Sequence, residues 1–304
     1  MAEPREMGLI IDGKGTIETV PALQPKRTIY DRATDILIQS QELQQEMEIG
    51  VREAIWDVPM DDIHRPIGIL FGTDIHYGSI GTNYQLLNHH LDLVEQTPNF
   101  FMITNGDHVD NFNGALKFAG AMAENPLPPQ LQMQAFMEKF RSLDTLGKVG
   151  VMSFGNHDKF MNVSGYDFFN SFCRNLNCPV FITGGILHIM AGEQHYGVAL
   201  THQYWGTSKL NPTNACKRFL DFEYPEADIA FLGHTHQSEV LTFSKGAHER
   251  IAVIGGSYKE QDMWASDKGI SKHTGKPGIS IVLFPDQQRM VAFKDIEDAV
   301  RFIK

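Results

Sequence analysis

Five short apolar runs in this chain each break off into residue types that bind metal ions. I-L-F-G-T leads to Asp74 and His76, and M-I-T-N-G to Asp107 with Asp110 three residues on; V-M-S-F-G leads to Asn156, His157 and Asp158, A-L-T to His202, and A-F-L-G to His234 and His236. Runs of this length and composition read as buried strands. In α/β sheets, ligands gather beyond the carboxyl ends of strands. Asp74 and His76 stand two apart, as do His234 and His236, and in an extended backbone side chains at i and i+2 point to one side. Glycines ahead of Asp107, Asn156 and His234 let the chain turn sharply and bring its backbone close to a ligand.

From Pro66 the chain alternates strand and helix: I-G-I-L-F, a helix through Tyr84 to Glu95, F-F-M-I-T, helical stretches through Leu116 to Phe140, then V-G-V-M-S. V-F-I-T, I-L-H-I-M, Y-G-V-A-L-T, I-A-F-L, R-I-A-V-I and I-S-I-V-L-F follow with few helices between them. This is α/β layering. A two-sheet sandwich flanked by helices accommodates both halves better than an open Rossmann sheet. With 304 residues and 42% hydrophobic content the chain is able to bury such a core.

Residues 1–60 read as a separate N-terminal arm, and 61–304 as the main domain. Apolar runs about Gly13 to Gly15 suggest a hairpin, P-A-L-Q-P-K-R is a linker by its prolines, and Thr28 to Trp56 has a helical pattern. The apolar stripe of that helix has two readings: a coiled coil that makes a homo-oligomer, or packing across the main domain. Gly50 and Ser40 fall on the seam, which favours packing.

A net charge of -11 argues against a wholly basic surface, so a nucleic-acid partner must be held locally or through metal. Cys173, Cys178 and Cys216 are too few and too irregular for a disulfide framework. The N-terminus lacks an apolar leader and no uncharged apolar stretch approaches a membrane span. These features predict a cytoplasmic protein without a membrane partner.

Asp74, His76, Asp107, Asn156, His202, His234 and His236 make seven oxygen or nitrogen ligands, which suits two cations sharing a carboxylate, roughly 3.5 to 4 Å apart, of the kind that drives displacement at phosphorus. The mixed carboxylate, amide and imidazole set fits Mn²⁺ best, with Fe, Zn or Mg as alternatives.

Taken in order, D-I-H at 74–76, G-D-H-V-D at 106–110, G-N-H-D at 155–158, T-H at 201–202 and G-H-T-H at 233–236 resemble the five-block signature of the calcineurin-like metallophosphoesterases. The resemblance implies a four-layer α/β/β/α double β-sandwich, to which the N-terminal helical arm is an addition. It implies that Asp74, His76 and His236 hold one metal, that Asn156, His202 and His234 hold the other, and that Asp107 bridges them, with a hydroxide shared between the metals attacking phosphorus. His157 matches the family histidine that meets the phosphate and leaving oxygen, and Asp110 the carboxylate that orients it. Asp158 has no assigned part beyond a turn or helix-capping role.

The protein-phosphatase branch follows its bridging block with an arginine-glycine pair, where this chain has Asn111 and Phe112, and Lys159 follows G-N-H-D. That tilts the expectation toward phosphodiesters in nucleic acid or a nucleotide, over a phosphomonoesterase or protein phosphatase. A non-catalytic metal-binding module acting through the arm is the alternative from another class. Loops from Tyr77 to Tyr84, from Asn111 to Lys117, and after His202 are the expected selectors of substrate, with Tyr77, Asn111, Tyr204, Trp205 and Lys209 as candidate contacts. Aromatic groups beside basic ones are able to stack bases and hold phosphates. The stretch after residue 201 is also similar to metallophosphoesterases encoded by phages and prophages.

Overall fold

A computed structural model describes residues 7–11, 17–21, 28–48, 52–60, 62, 64–111, 125–159, 176–260 and 275–304. The expected helical stretch from Leu116, the loop residues 112–117 and Cys173 lie outside the described residues. Two compact units divide the chain, Met1–Glu48 and Ile49–Lys304.

In the first unit, β1 (Met7–Ile11) and β2 (Ile17–Pro21) pair antiparallel, with Ile11 opposite Ile17. This is the expected hairpin. Helix α1 spans Ile29–Glu48 and starts at Thr28, whose hydroxyl accepts from the Asp31 N–H at 3.1 Å while its own N–H donates to the Asp31 carboxylate at 2.8 Å. That reciprocal pair satisfies donors which the first helical turn leaves open.

The helical pattern expected to run to Trp56 ends earlier. Strand β3 (Glu53–Asp57) instead alternates between outward Glu53, Ile55 and Asp57 and partly buried Ala54 and Trp56, a period of two that no helix can satisfy. It forms the edge of a sheet in the second unit, although it precedes the boundary expected at residue 60.

That unit holds two six-stranded sheets. In the first, β4 (Ile67–Gly72), β5 (Phe100–Asn105), β6 (Val149–Ser153) and β7 (Val180–Phe181) run parallel. In the second, β8 (Gly185–Ala191) lies between β3 and β9 (Gln194–Leu200), and β9 runs parallel to β10 (Ile229–Leu232). Sheet two closes with β11 (Ser238–Lys245) and β12 (His248–Gly255), and sheet one with β13 (Ser280–Leu283) and β14 (Met290–Phe293), in the orders β11-β12-β10-β9-β8-β3 and β14-β13-β4-β5-β6-β7.

Ile67, Ile69 and Phe71 of β4 meet Val198, Leu200, Phe231 and Val253 of the second sheet in a continuous core. On the outer face of sheet one, Leu70 and Met102 pack under α2 (Tyr84–Gln96), α3 (Pro129–Thr145) and the C-terminal helix Ile296–Ile303. Helix Asn214–Phe222 covers Ala199, Ala230 and Ala252 outside sheet two through Ala215, Cys216, Phe219 and Leu220. The layers are therefore α/β/β/α, as expected. Each fully buried aliphatic or phenyl group in them contributes about 1.5–3 kcal/mol. Among the described residues no helix is long and apolar enough to cross a membrane.

Trp56 fastens the edge strand to this core. Its ring meets Phe101 edge-on, with centroids 5.3 Å apart, and lies over Gly150, where a β-carbon would stand 2.6 Å from the indole. Replacing Trp56 with Ala is expected to lower unfolding free energy by roughly 3 kcal/mol in chemical denaturation; a loss within 0.5 kcal/mol, roughly that of an ordinary surface change, would contradict the packing.

Candidate metal centre

β4, β5 and β6 are parallel neighbours in one sheet, and β9 and β10 in the other, so within each sheet these carboxyl ends point one way. The turns beyond them deliver the seven expected ligands. Asp74, His76, Asp107 and His202 are all at most 4% exposed.

The backbone here is not the extended one expected for i and i+2 pairs. Asp74, His76, Asp107, His234 and His236 have φ between 48° and 68°, and Asn111 has 37°; among the described non-glycine residues only Asn99 shares that region. Left-handed backbone at side chains like these costs on the order of 1 kcal/mol each and concentrates where surroundings hold it in place. Those surroundings are visible. Asp74 N–H donates to the Gly106 carbonyl at 3.1 Å, His76 N–H to Asp107 O at 2.9 Å, and His234 N–H to Asp74 Oδ2 at 2.9 Å. A β-carbon on Gly155 would overlap the Asp107 carboxylate, and one on Gly233 the Thr73 hydroxyl, so these turns interlock with no room for a side chain.

Among the described residues, side chains able to hold a metal meet in three overlapping groups, the third being His76, Asp110 and His157. Asp74, His76 and His236 offer ligand atoms within 4.8 Å of one another, and so do Asp107, His202 and His234. One oxygen, Asp107 Oδ2, stands between the sets, 3.0 Å from His202 Nε2 and 3.9 Å from both His76 Nε2 and His157 Nε2. Asn156 Oδ1 is buried without a hydrogen-bond partner. His76 Nε2 and His236 Nε2 face each other at 3.1 Å, a separation that suits two imidazoles on one cation at bond lengths of about 2.0–2.1 Å. The donors are all oxygen or nitrogen, so the residues fit divalent cations.

Neighbours fix which nitrogen His202 and His76 present. His202 Nδ1 donates to the Asn105 carbonyl at 2.8 Å, leaving Nε2 toward Asp107. His76 Nδ1 donates to Asp110 Oδ1 at 2.9 Å, leaving Nε2 toward the cluster. Carboxylate and carbonyl partners of this kind orient metal-binding imidazoles. Asp110 thus differs from the expected role: its carboxylate bonds to His76 and to Lys259 Nζ, the latter at 2.8 Å, and it is its backbone carbonyl that takes His157 Nδ1.

Lys259 is the functional-site residue that the sequence did not flag. It is 7% exposed, and a single lysine in S-Y-K-E carries no motif that distinguishes it. It is brought in because residues after β12 close over the Asp74 turn, with Ser257 Oγ donating to Asp74 O at 2.9 Å and Tyr258 N–H to the same oxygen at 3.2 Å.

Charge follows this arrangement. Burial pushes the Asp74 carboxyl upward, but His202 and His236 outweigh it and hold the group at about 2. Burial likewise opposes ionisation of Asp107 and Asp110, yet His202 holds the first, and His76 with Lys259 the second, well below the usual carboxylate range. Burial drives His76 down to about 4. For His202 burial also works downward, but Asp107 and Asp74 lift it to about 9.

The expected substrate contacts are scattered. Tyr77 packs edge-on against Tyr84, 5.3 Å between centroids, and beside Phe136. Asn111 is fully buried and donates through Nδ2 to the His157 carbonyl at 3.0 Å, which makes it a support for that histidine. Tyr204 donates to Glu223 at 2.9 Å. Trp205 is 55% exposed and carries the Arg218 guanidinium 3.8 Å above its ring. Lys209 is exposed on the same loop.

The profile of the calcineurin-like phosphoesterases matches residues 67–238, more than half of the chain. Among solved structures, the chain is similar to an NAD nucleotidase (NadN) of Haemophilus influenzae at 12% identity and TM-score 0.41, over 75% of this chain and 49% of that one. It is also similar to a metallophosphoesterase from Sphaerobacter thermophilus, at 16% identity and TM-score 0.36 over 75% of this chain and 87% of that one. A third likeness is to the nuclease MPE of Pseudomonas putida, at 14% identity and TM-score 0.31 over 74% and 87%. This chain spans about half the length of the nucleotidase. Among curated proteins none matches.

Without a cation, protonated His202 stabilises the fold fully below its ordinary value of 6.5, and that contribution is lost as pH rises through about 9. A cation needs the neutral ring and must displace the proton. The melting temperature of cation-free protein is therefore expected to fall from pH 6.5 to 9 while Mn²⁺ affinity, measured by calorimetry, rises about tenfold per unit over the same range. Affinity that does not change with pH would contradict the His202 assignment.

Proposed function

Because this chain belongs to the calcineurin-like phosphoesterases, a family of metal-dependent hydrolases, we propose that it is a two-cation phosphodiesterase acting on nucleic acid or a nucleotide. One observation carries the reading: two sets of ligand groups meet at Asp107 Oδ2, and Asn156 Oδ1, on the residue before His157, is buried and unpartnered. Asp74, His76 and His236 would hold one cation and Asn156, His202 and His234 the other, with Asp107 shared. Mn²⁺ leads the candidates, ahead of Fe, Zn and Mg. Bound there, such cations supply Lewis acidity to phosphoryl oxygens and an acidified water.

The chain's own residues do the rest. The His157 N–H donates to Asp107 Oδ1 at 2.9 Å, and its Nδ1 is held on the Asp110 carbonyl. Those two bonds set the ring so that Nε2 faces the shared carboxylate at 3.9 Å, within reach of a phosphoester lying on the cluster. From that atom a proton passes to the leaving oxygen. Asn111 braces His157 from behind, and Lys259 adds a buried positive charge against Asp110.

Preference for a diester rests on Asn111 and Lys159, which stand where the protein-phosphatase branch carries arginine-based clamps for a terminal phosphate. Trp205, half exposed, carries the Arg218 guanidinium over its ring and lies near-parallel to Phe222 at 6.2 Å, and a base that displaces or extends this stack would have a guanidinium at hand for its phosphate.

With Mn²⁺, the wild type is expected to hydrolyse bis-p-nitrophenyl phosphate, and His157→Ala to lose about 10²–10⁴-fold in kcat with both cations still bound. Wild type and variant equally inert with cations bound would overturn the enzymatic reading, and faster turnover of p-nitrophenyl phosphate would favour a monoesterase. Trp205→Ala is expected to raise KM several-fold, roughly the loss of one stacked base, on single-stranded DNA and to leave bis-p-nitrophenyl phosphate unchanged. An equal effect on both substrates would overturn the stacking role.

A further inference from the structure

Asp158 belongs to neither ligand set, yet it is 1% exposed and adjoins His157. Its Oδ1 accepts from the His108 backbone N–H at 3.0 Å. Its Oδ2 accepts from the Gly155 N–H at 2.8 Å and lies 2.9 Å from His108 Nδ1. The chain of contacts continues through His108 Nε2 to the Thr104 hydroxyl at 2.9 Å. Thr104 and His108 are both fully buried, and the His108 ring lies against Phe136 at 5.3 Å and Phe140 at 6.5 Å.

Threonine, histidine and aspartate in this order have the connectivity of a hydrolase relay. A hydroxyl with no exposure cannot reach a substrate, so nucleophilic chemistry is excluded. The partners point to another use. His108 immediately follows Asp107, and Gly155 immediately precedes Asn156. The two His108 contacts of Asp158 thus join the turn after β5 to the turn after β6, the Gly155 contact closes the latter turn on itself, and the His157 N–H bond to Asp107 Oδ1 joins the two turns in the opposite direction. Asp107 sits in left-handed backbone at φ 51°, and a position of that kind persists only when its neighbours hold it.

We propose that Asp158, with His108 as its link to Thr104, is a positioning residue: it locks the turn that carries Asp107 to the turn that carries Asn156 and His157. In doing so it sets the separation between the shared carboxylate and the amide ligand of the second cation. The proposal rests on the two-cation reading above. It adds that this separation is maintained by a buried carboxylate which touches neither cation nor substrate.

The test is calorimetric titration of the full chain with Mn²⁺. Asp158→Asn keeps the size and one acceptor, but its amide nitrogen cannot accept from the Gly155 N–H. One of the two binding steps is expected to weaken by about 10–100-fold, and kcat to fall at saturating Mn²⁺ while KM for bis-p-nitrophenyl phosphate holds. Leu220→Ala, in the core under the far sheet, serves as a variant of lowered melting temperature and is expected to bind both cations as the wild type does. If Asp158→Asn melts lower but binds both cations within twofold of wild type, Asp158 is a fold residue only and the proposal falls. Should that variant fail to fold, Thr104→Val decides: a several-fold loss in the same step supports the link, and unchanged affinity overturns it. A wild type that binds no divalent cation would instead overturn the two-cation reading, and the proposal with it.

Discussion

Asp74, Asp107 and Asp110 are each no more than 1% exposed, and the sequence crowds them among imidazoles whose nitrogens lie within 3 to 4 Å of their oxygens. Buried like charges are costly unless opposite charge or hydrogen bonds compensate them. In the cation-free cluster, the compensation is a raised His202, the Lys259 ammonium and several backbone N–H donors. Asn156 Oδ1 still lacks any partner. A set of groups that compensates itself only in part is completed by cations, and the surrounding structure is organised to keep the set together.

The rest of the architecture follows from that requirement. Seven candidate ligands cannot come from one loop, so five strand ends must converge, and β4, β5 and β6 in one sheet with β9 and β10 in the other achieve this. The left-handed backbone at five ligands and the interlocking of Gly155 and Gly233 with Asp107 and Thr73 are local consequences. They are held by bonds between turns, the buried Asp158–His108 contacts among them. The two-sheet core behind the turns supplies the rigidity: Phe71 and Phe231, from the strands that lead to Asp74 and His234, meet edge-on with centroids 5.1 Å apart.

The convergence of the candidate ligands was legible in the sequence because each follows an apolar run long enough to identify a buried strand. Helix α2 and the central strands were legible for the same reason. What escaped has physical causes. The strand Glu53–Asp57 is too short to announce a period of two beside a helix rich in Glu and Gln. Ser238–Lys245 lies at a sheet edge with only partial burial along its length, so it lacks the apolar run. Helix Asn214–Phe222 was passed over just beyond the stretch read as a substrate loop, although its Ala215, Cys216, Phe219 and Leu220 show a helical spacing. The i and i+2 pairs converge as expected, but through left-handed backbone, which no residue type except glycine advertises. Lys259 and the Asp158 network depend on tertiary contacts that no local pattern encodes.

The central claim is that this cluster is built for two cations that share Asp107. Anomalous diffraction at the manganese edge, from crystals grown with Mn²⁺, tests it directly. The expected result is two peaks about 3.5–4 Å apart, one beside Asp74, His76 and His236 and the other beside Asn156, His202 and His234, with the Asp107 carboxylate between them. A single peak, no peak, or a peak lodged among His76, Asp110 and His157, whose ligand atoms also lie within 4.8 Å of one another, would contradict it.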